Sequence, residues 1–240
     1  MTRHFPRPSL RWWPALSLLL LTLLTLLPVV AAAHGVADSD QRFIEHNVGS
    51  QIVAFIYLGA KHMVTGYDHL LFLVGVVFFL YGMRDVALYV SLFALGHSVT
   101  LLSGVLSGTD VNPFLVDAVI GFSVVYKGLD NLGLLRQWLG FQPNTKAAVL
   151  LFGLVHGLGL ATKLQDFALS SAGLIGNLVA FNVGVEVGQL LALWMILIGL
   201  GYWRRTASFE HHARSANILL IVAGLALAAM QIYDYVESGA

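Results

Sequence analysis

Histidines and carboxylates recur inside the apolar runs of this 240-residue sequence: His62, Asp68, His69, His97, Asp117, His156 and Glu186, with the amide Asn182 among them. Imidazole nitrogen and carboxylate oxygen form the donor set of a borderline divalent cation such as Ni²⁺, Zn²⁺, Cu²⁺ or Fe²⁺. With no cysteine in the chain, disulfide staples, thiolate metal sites and thiol catalysis are excluded, and the donor set argues against a dedicated Cu(I) site. An ionisable group at the centre of a membrane helix costs about 2.5–3.5 kcal/mol on insertion scales, so each of these needs a partner or a task. One such histidine would read as an interhelical hydrogen bond, worth about 0.6 kcal/mol in membranes. Three histidines with carboxylates on five helices read instead as a metal path.

Spacing sharpens that reading. His62 and His69 are co-facial but about 10 Å apart on a straight helix, too far to share one ion. Gly66 lies between them and offers a break that would fold one towards the other, as at the binding sites of many transporters. Asn182, Glu186 and Gln189 form one stripe at i, i+4 and i+7, and Asp117, Gly121, Gly128 and Asn131 share another face. His97, His156 and Glu186 are expected near the midplane. Asp68, His69, Asp117 and Asn182 are expected in the outer half, so the set describes a path from the surface inwards. Lys127 has Asp130 and Asp117 as candidate partners or snorkels inward. Met63 reads as packing.

The elements that must position these groups follow from composition. The chain is 58% hydrophobic and 11% charged, with a mean hydropathy of +0.78, against about a quarter charged in a soluble domain. The expected fold is an all-α polytopic membrane helix bundle of about six transmembrane helices after a cleavable signal peptide. Arg3, Arg7 and Arg11, an apolar stretch from Leu16 to Val30 and Ala31-Ala32-Ala33 have the order of a secretory signal at residues 1–33. Cleavage after Ala33 leaves His34 as the mature N-terminus, whose amine and imidazole can chelate a metal together. Residues 34–50 form a short periplasmic segment, and 51–238 the six-helix domain.

The helices are expected from about Thr65 to Gly82, with Gln51 to Ala60 as an amphipathic or helical lead-in, then at about Val86 to Leu106, Pro113 to Leu135, Ala147 to Ala161, Leu174 to Trp203 and Ala216 to Val236. Loops on one side hold Arg84, Arg136, Lys146, Arg204, Arg205 and Arg214, while the other side holds Lys163. Positive-inside then places both mature termini in the periplasm and the bundle in a bacterial inner membrane. An inverted repeat would set His69 and His156 on the first helices of two three-helix halves, but the similarity between the halves is slight and reads as chance.

The equal count of 13 basic and 13 acidic residues argues against nucleic acid as a partner. No Gly-x4-Gly-Lys-Ser/Thr, His-Glu-x-x-His or His-x-x-x-His motif occurs, which leaves no nucleotide-driven pump and no zinc protease to argue for. The leading expectation is a permease for a divalent cation, Ni²⁺ before Co²⁺ or Zn²⁺, with nothing bound permanently. The alternative is an intramembrane metal- or haem-binding accessory or redox protein that carries no flux.

Five stretches resemble the HupE/UreJ family of nickel permeases that accompany hydrogenases and ureases: His62-Met-Val-Thr-Gly-Tyr-Asp68-His69, Leu95-Gly-His97-Ser98-Val-Thr100, Val124-Val-Tyr126-Lys-Gly-Leu-Asp-Asn131, Phe152-Gly-Leu-Val-His156-Gly and Asn182-Val-Gly-Val-Glu186-Val-Gly-Gln189. The likeness covers about Ile52 to Leu190. Some members carry proline directly after the first histidine, where this chain has Met63. The resemblance implies metal roles for His62, Asp68 and His69 and further ones for His97, His156 and Glu186. It also implies the lipid bilayer, the ion and metalloenzyme maturation proteins as partners.

Overall fold

Gly66 divides the first apolar segment into two helices. In the computed structural model, which describes residues 49–165 and 173–239, α1 runs over Ile52–Thr65 and α2 over Tyr67–Val77. Gly66 adopts an extended conformation (φ −72°, ψ 102°); its N–H closes α1 on the His62 carbonyl and its own carbonyl opens α2 by accepting from Leu70. The expected lead-in is therefore a helix in its own right. Asp68 and His69 consequently lie in the first turn of α2, beside a junction of two helices, where a single helix beginning at about Thr65 was expected.

Six further helices follow: α3 (Met83–Ser107), α4 (Pro113–Asn131), α5 (Leu134–Leu139), α6 (Thr145–Gln165), α7 (Leu174–Trp203) and α8 (Ala207–Ser238). The described residues are all-helical, without strands. Pro113 opens α4 as expected, and the Asn112 side chain accepts from the Leu115 N–H at 3.2 Å. The same helix stops at Asn131 and not at Leu135, because Gly133 (φ 71°) turns the chain into α5. Helix α8 starts nine residues earlier than its apolar run suggests, at Ala207 where Ala216 was expected, its first turns being polar and exposed. Four helices, α3, α6, α7 and α8, are long and apolar enough to cross a membrane. The signal-peptide and His34 expectations lie outside the described residues.

Packing is organised as three close pairs: α1 on α7, α3 on α6 and α4 on α8. Glycine makes each possible. A Cβ at Gly59 would overlap the Phe181 backbone, one at Gly153 the Phe93 backbone, and one at Gly121 would come within 2.6 Å of the Ala228 nitrogen. Lipid tails are as apolar as leucine, so membrane helices gain from close backbone approach and dispersion contacts, and small residues are what permit both. The contacts also fix direction. Ile56 meets Gly184 and Ala60 meets Gly188, so α1 and α7 run parallel; Phe93 meets Gly153 and His97 meets Gly157, so α3 and α6 do too. Gly121 meets Ala228 while Gly128 meets Asn217, which makes α4 and α8 antiparallel.

Several polar groups within the bundle tie its helices together. Lys127 pairs with Asp130 at 2.6 Å on α4, and Gln142 adds a bond to the same carboxylate at 2.7 Å. Asn131 donates to the Gly75 carbonyl and to Asn217, both at 2.9 Å, joining α2, α4 and α8. The end of α2 is held by Arg204, which donates to the Val77 and Phe78 carbonyls and lies 4.7 Å over the Tyr81 ring. A guanidinium at a helix C-terminus satisfies orphaned carbonyls and complements the helix dipole.

Candidate metal centre

The α1–α2 junction presents its side chains to the middle of α6. One ligand atom each from Asp68, His69 and His156 lie within 4.8 Å of one another, and all three residues are buried. His69 and His156 have ring centroids 4.9 Å apart, and His62 comes within 5.1 Å of His69. The break at Gly66 thus brings together two histidines that a straight helix would hold about 10 Å apart. His97, from the middle of α3, lies 6.1 Å from His69 and completes a group of four imidazoles.

The hydrogen bonds set the tautomers. His156 Nδ1 lies 2.7 Å from the Phe152 carbonyl one turn earlier; a carbonyl only accepts, so Nδ1 carries the proton and Nε2 carries a lone pair. His69 Nδ1 lies 2.9 Å from Asp68 Oδ1, and the carboxylate likewise leaves Nε2 as the basic nitrogen. Both Nε2 atoms are buried without a hydrogen-bond partner, as are His62 Nε2 and both ring nitrogens of His97. Buried polar atoms without partners are rare. Neutral imidazoles oriented through one nitrogen, with the other free, are in the form that ligates a cation, and a carboxylate behind the ring is the usual outer support.

An aromatic wall surrounds them. Phe93 and Phe72 lie 4.9 and 5.6 Å from the His156 ring, and Phe93 stacks on His97 at 6.2 Å. The sequence reading did not single out these phenylalanines. The available signal is that Phe93 precedes His97 by one helical turn.

Other expected site residues are placed elsewhere. Glu186 is exposed and outside the convergent set. The reason is helical phase: Phe181, Gly184, Val185 and Gly188 face α1, and at about 100° per residue Glu186 points well away from them. Asp117 is buried but pairs with Lys163 of α6 at 2.5 Å, so its carboxylate already has a cation. Asn182 donates to Ser98 Oγ at 2.9 Å, joining α7 to α3, and its Oδ1 has no partner. Gln189 of the same stripe is buried and donates to the Val90 carbonyl at 3.3 Å.

A buried His/Asp cluster thus lies beside a helix break inside a bundle rich in apolar helices. A family model described as HupE / UreJ protein matches residues 38–238. No curated protein matches the chain, and no solved structure does. Because the match extends over most of the chain and includes every residue of the cluster, the protein belongs to the HupE/UreJ family.

Proposed function

We propose that this protein is a membrane permease for a divalent transition-metal cation, Ni²⁺ first, and that Asp68, His69 and His156 are its central ligands, with His62 and His97 flanking them. The observation that carries this reading is the convergence of three buried ligand atoms within 4.8 Å at a helix break. Helix α1 is about 21 Å long and α2 about 16 Å, each short of the roughly 30 Å hydrocarbon core, while the two in succession reach across it. They then count as one discontinuous span, giving six crossings with α3, α4, α6, α7 and α8 and placing both ends of the bundle on the periplasmic face. Broken helices near the bilayer midplane are the architecture of secondary transporter sites.

The chemistry follows from the ligand set. A hydrated cation exchanges water for two imidazoles and a carboxylate, which bind it firmly enough to enter and, being few, let it leave. Lys127 and Lys163 each have their own carboxylate, so neither opposes the ion with an unbalanced charge. A membrane potential of about 100 mV, negative inside, supplies about 4.6 kcal/mol to a divalent ion, enough for uptake without nucleotide hydrolysis. The family is permease-type, which favours flux over catalysis.

The test is uptake of radioactive nickel, cobalt and zinc into proteoliposomes with an imposed potential. Wild type should carry nickel, and His69→Ala and His156→Ala should each lower the rate at least tenfold at matched protein density. Tight binding to purified protein with no flux would overturn the permease and leave a metal-holding accessory protein.

A further inference from the structure

The helix pairs repeat one another. In the α1–α7 pair, Gly59 abuts the Phe181 carbonyl; in the α3–α6 pair, Gly153 abuts the Phe93 carbonyl. Gly184 meets the Ile56 carbonyl, and Gly96 meets the Leu150 carbonyl. Gly188 meets the Ala60 carbonyl, and in the matching place Thr100 Oγ1 donates to the Leu154 carbonyl at 2.7 Å. One constant shift carries Ile56, Gly59, Ala60 and His62 onto Leu150, Gly153, Leu154 and His156. A second constant shift carries Phe93, Gly96 and Thr100 onto Phe181, Gly184 and Gly188.

The third pair completes the pattern. Helices α4 and α8 are antiparallel, with Gly121 against Ala228 and Gly224 against Val125, contacts that exchange with each other under a single shift. A twofold axis in the membrane plane requires this of a pair that maps onto itself, and it requires the other two pairs to swap and to share one relative direction, as the two parallel pairs do. The sequence trace is short: Gly-x-x-His at 59–62 and 153–156, and Phe-x-x-Gly at 93–96 and 181–184. The contacts, unlike the sequence similarity alone, are too many and too consistent in register for chance.

The symmetry has a chemical consequence. His62 packs on Phe181 at 6.1 Å as His156 packs on Phe93 at 4.9 Å. His69 lies between them, 5.1 Å from His62 and 4.9 Å from His156, and the Nε2 atoms of all three are buried without partners. The halves differ where the same shift is carried further. The place equivalent to His69 is Lys163, on an unbroken helix and paired with Asp117. The bundle therefore holds two symmetry-related histidines but one Asp–His pair for them to share.

We propose that the fold is an internal inverted repeat and that His62 and His156 alternate as the third ligand of the Asp68–His69 pair. In the state described here His156 completes the set; in the inverted state His62 does. Exchange of one histidine for the other moves the ion across the midplane without releasing it to water. This deepens the permease reading and rests on it for the direction of flux, while the exchange of ligands is measurable by binding alone.

The experiment uses the full chain. Nickel binding in detergent is measured by titration calorimetry, and nickel flux in proteoliposomes, for wild type, His62→Gln, His156→Gln and the double variant. Each single variant should keep its affinity within about tenfold, because the remaining histidine completes the set, and should lose flux. The double variant should bind at least about a hundredfold more weakly, the upper range for losing metal-site support. Loss of binding in His156→Gln alone, with His62→Gln unchanged in both binding and flux, would overturn the alternation. If wild type binds without carrying nickel, the permease fails while the three binding constants still decide the exchange. Thermal melts check folding, and His62→Asn with His156→Asn replaces any glutamine variant that does not fold.

Discussion

Replacing Gly66 by alanine should separate the metal site from the stability of the bundle. A Cβ there would lie 2.7 Å from His69 Nδ1 and 3.0 Å from Asp68 Oδ1, the two atoms whose 2.9 Å hydrogen bond orients His69. Non-bonded heavy atoms settle at about 3.5–4.0 Å, so the pair must move by about 0.5–1 Å. Disturbing the outer support of a metal ligand typically costs 10–100-fold in affinity, which is about 1.4–2.8 kcal/mol. The conformation suits any residue, with φ −72° at Gly66, and the one tight backbone neighbour is the His62 carbonyl oxygen at 3.1 Å, which must ease by a few tenths of an ångström. Alanine in place of glycine at a compatible backbone conformation stabilises by about 0.4–1 kcal/mol by restricting the unfolded chain, which pushes the other way on stability. Gly66→Ala should therefore melt at or above the wild-type temperature while binding nickel 10–100-fold more weakly by calorimetry. Gly199→Ala is the control, with nothing within 4 Å of the added methyl group, and should leave binding unchanged. Nickel affinity within twofold of wild type in Gly66→Ala would refute the assignment of Asp68 and His69 as an oriented ligand pair.

Three further outcomes follow from the same geometry. Glu186→Gln should keep nickel affinity within twofold by calorimetry, because the side chain is exposed and outside the cluster. Lys163→Met should destabilise the protein by about 3 kcal/mol by leaving Asp117 buried and unpaired, and adding Asp117→Leu should recover most of the loss in a double-mutant cycle read by thermal unfolding. Gly59→Val should lower the melting temperature sharply, since overpacking typically costs about 1–3 kcal/mol and here the backbone of α7 itself is in the way; a neutral result would remove the α1–α7 contact from the account.

The residue types of the site were legible because ionisable groups are expensive in hydrocarbon, so each histidine in an apolar run announces itself. Gly66 was legible as a break for a related reason: His62 and His69 cannot meet across two turns of straight helix. The packing of the lead-in was not. Gly59, Gly184 and Gly188 lock α1 onto α7, a contact between segments far apart in the chain, and this sets Asp68 and His69 beside a junction of two packed helices. The stripe of Asn182, Glu186 and Gln189 was correct as a spacing, but spacing gives only relative phase. Which way the stripe faces is set by the packing glycines of α7. Asp117 reads as part of the metal path or as a partner for Lys127 until Lys163, on another helix, is brought within 2.5 Å of it.

His97 exposes what the cluster costs when no ion is bound. It is 1% exposed, stacked on Phe93, and neither ring nitrogen has a hydrogen-bond partner. A buried polar group without a partner costs about 1–3 kcal/mol, so a bundle selected for stability alone would carry leucine there. His97→Leu removes that penalty at similar volume. It should raise the melting temperature of the metal-free protein by an amount equivalent to about 1 kcal/mol, partly offset by imperfect packing against Phe93. The same substitution should slow nickel flux, since it removes an imidazole whose ring centroid lies 6.1 Å from that of His69. Stability and transport then move in opposite directions, which a packing role for His97 does not allow. A variant that melts lower than wild type and carries nickel at the wild-type rate would show that His97 is core filling.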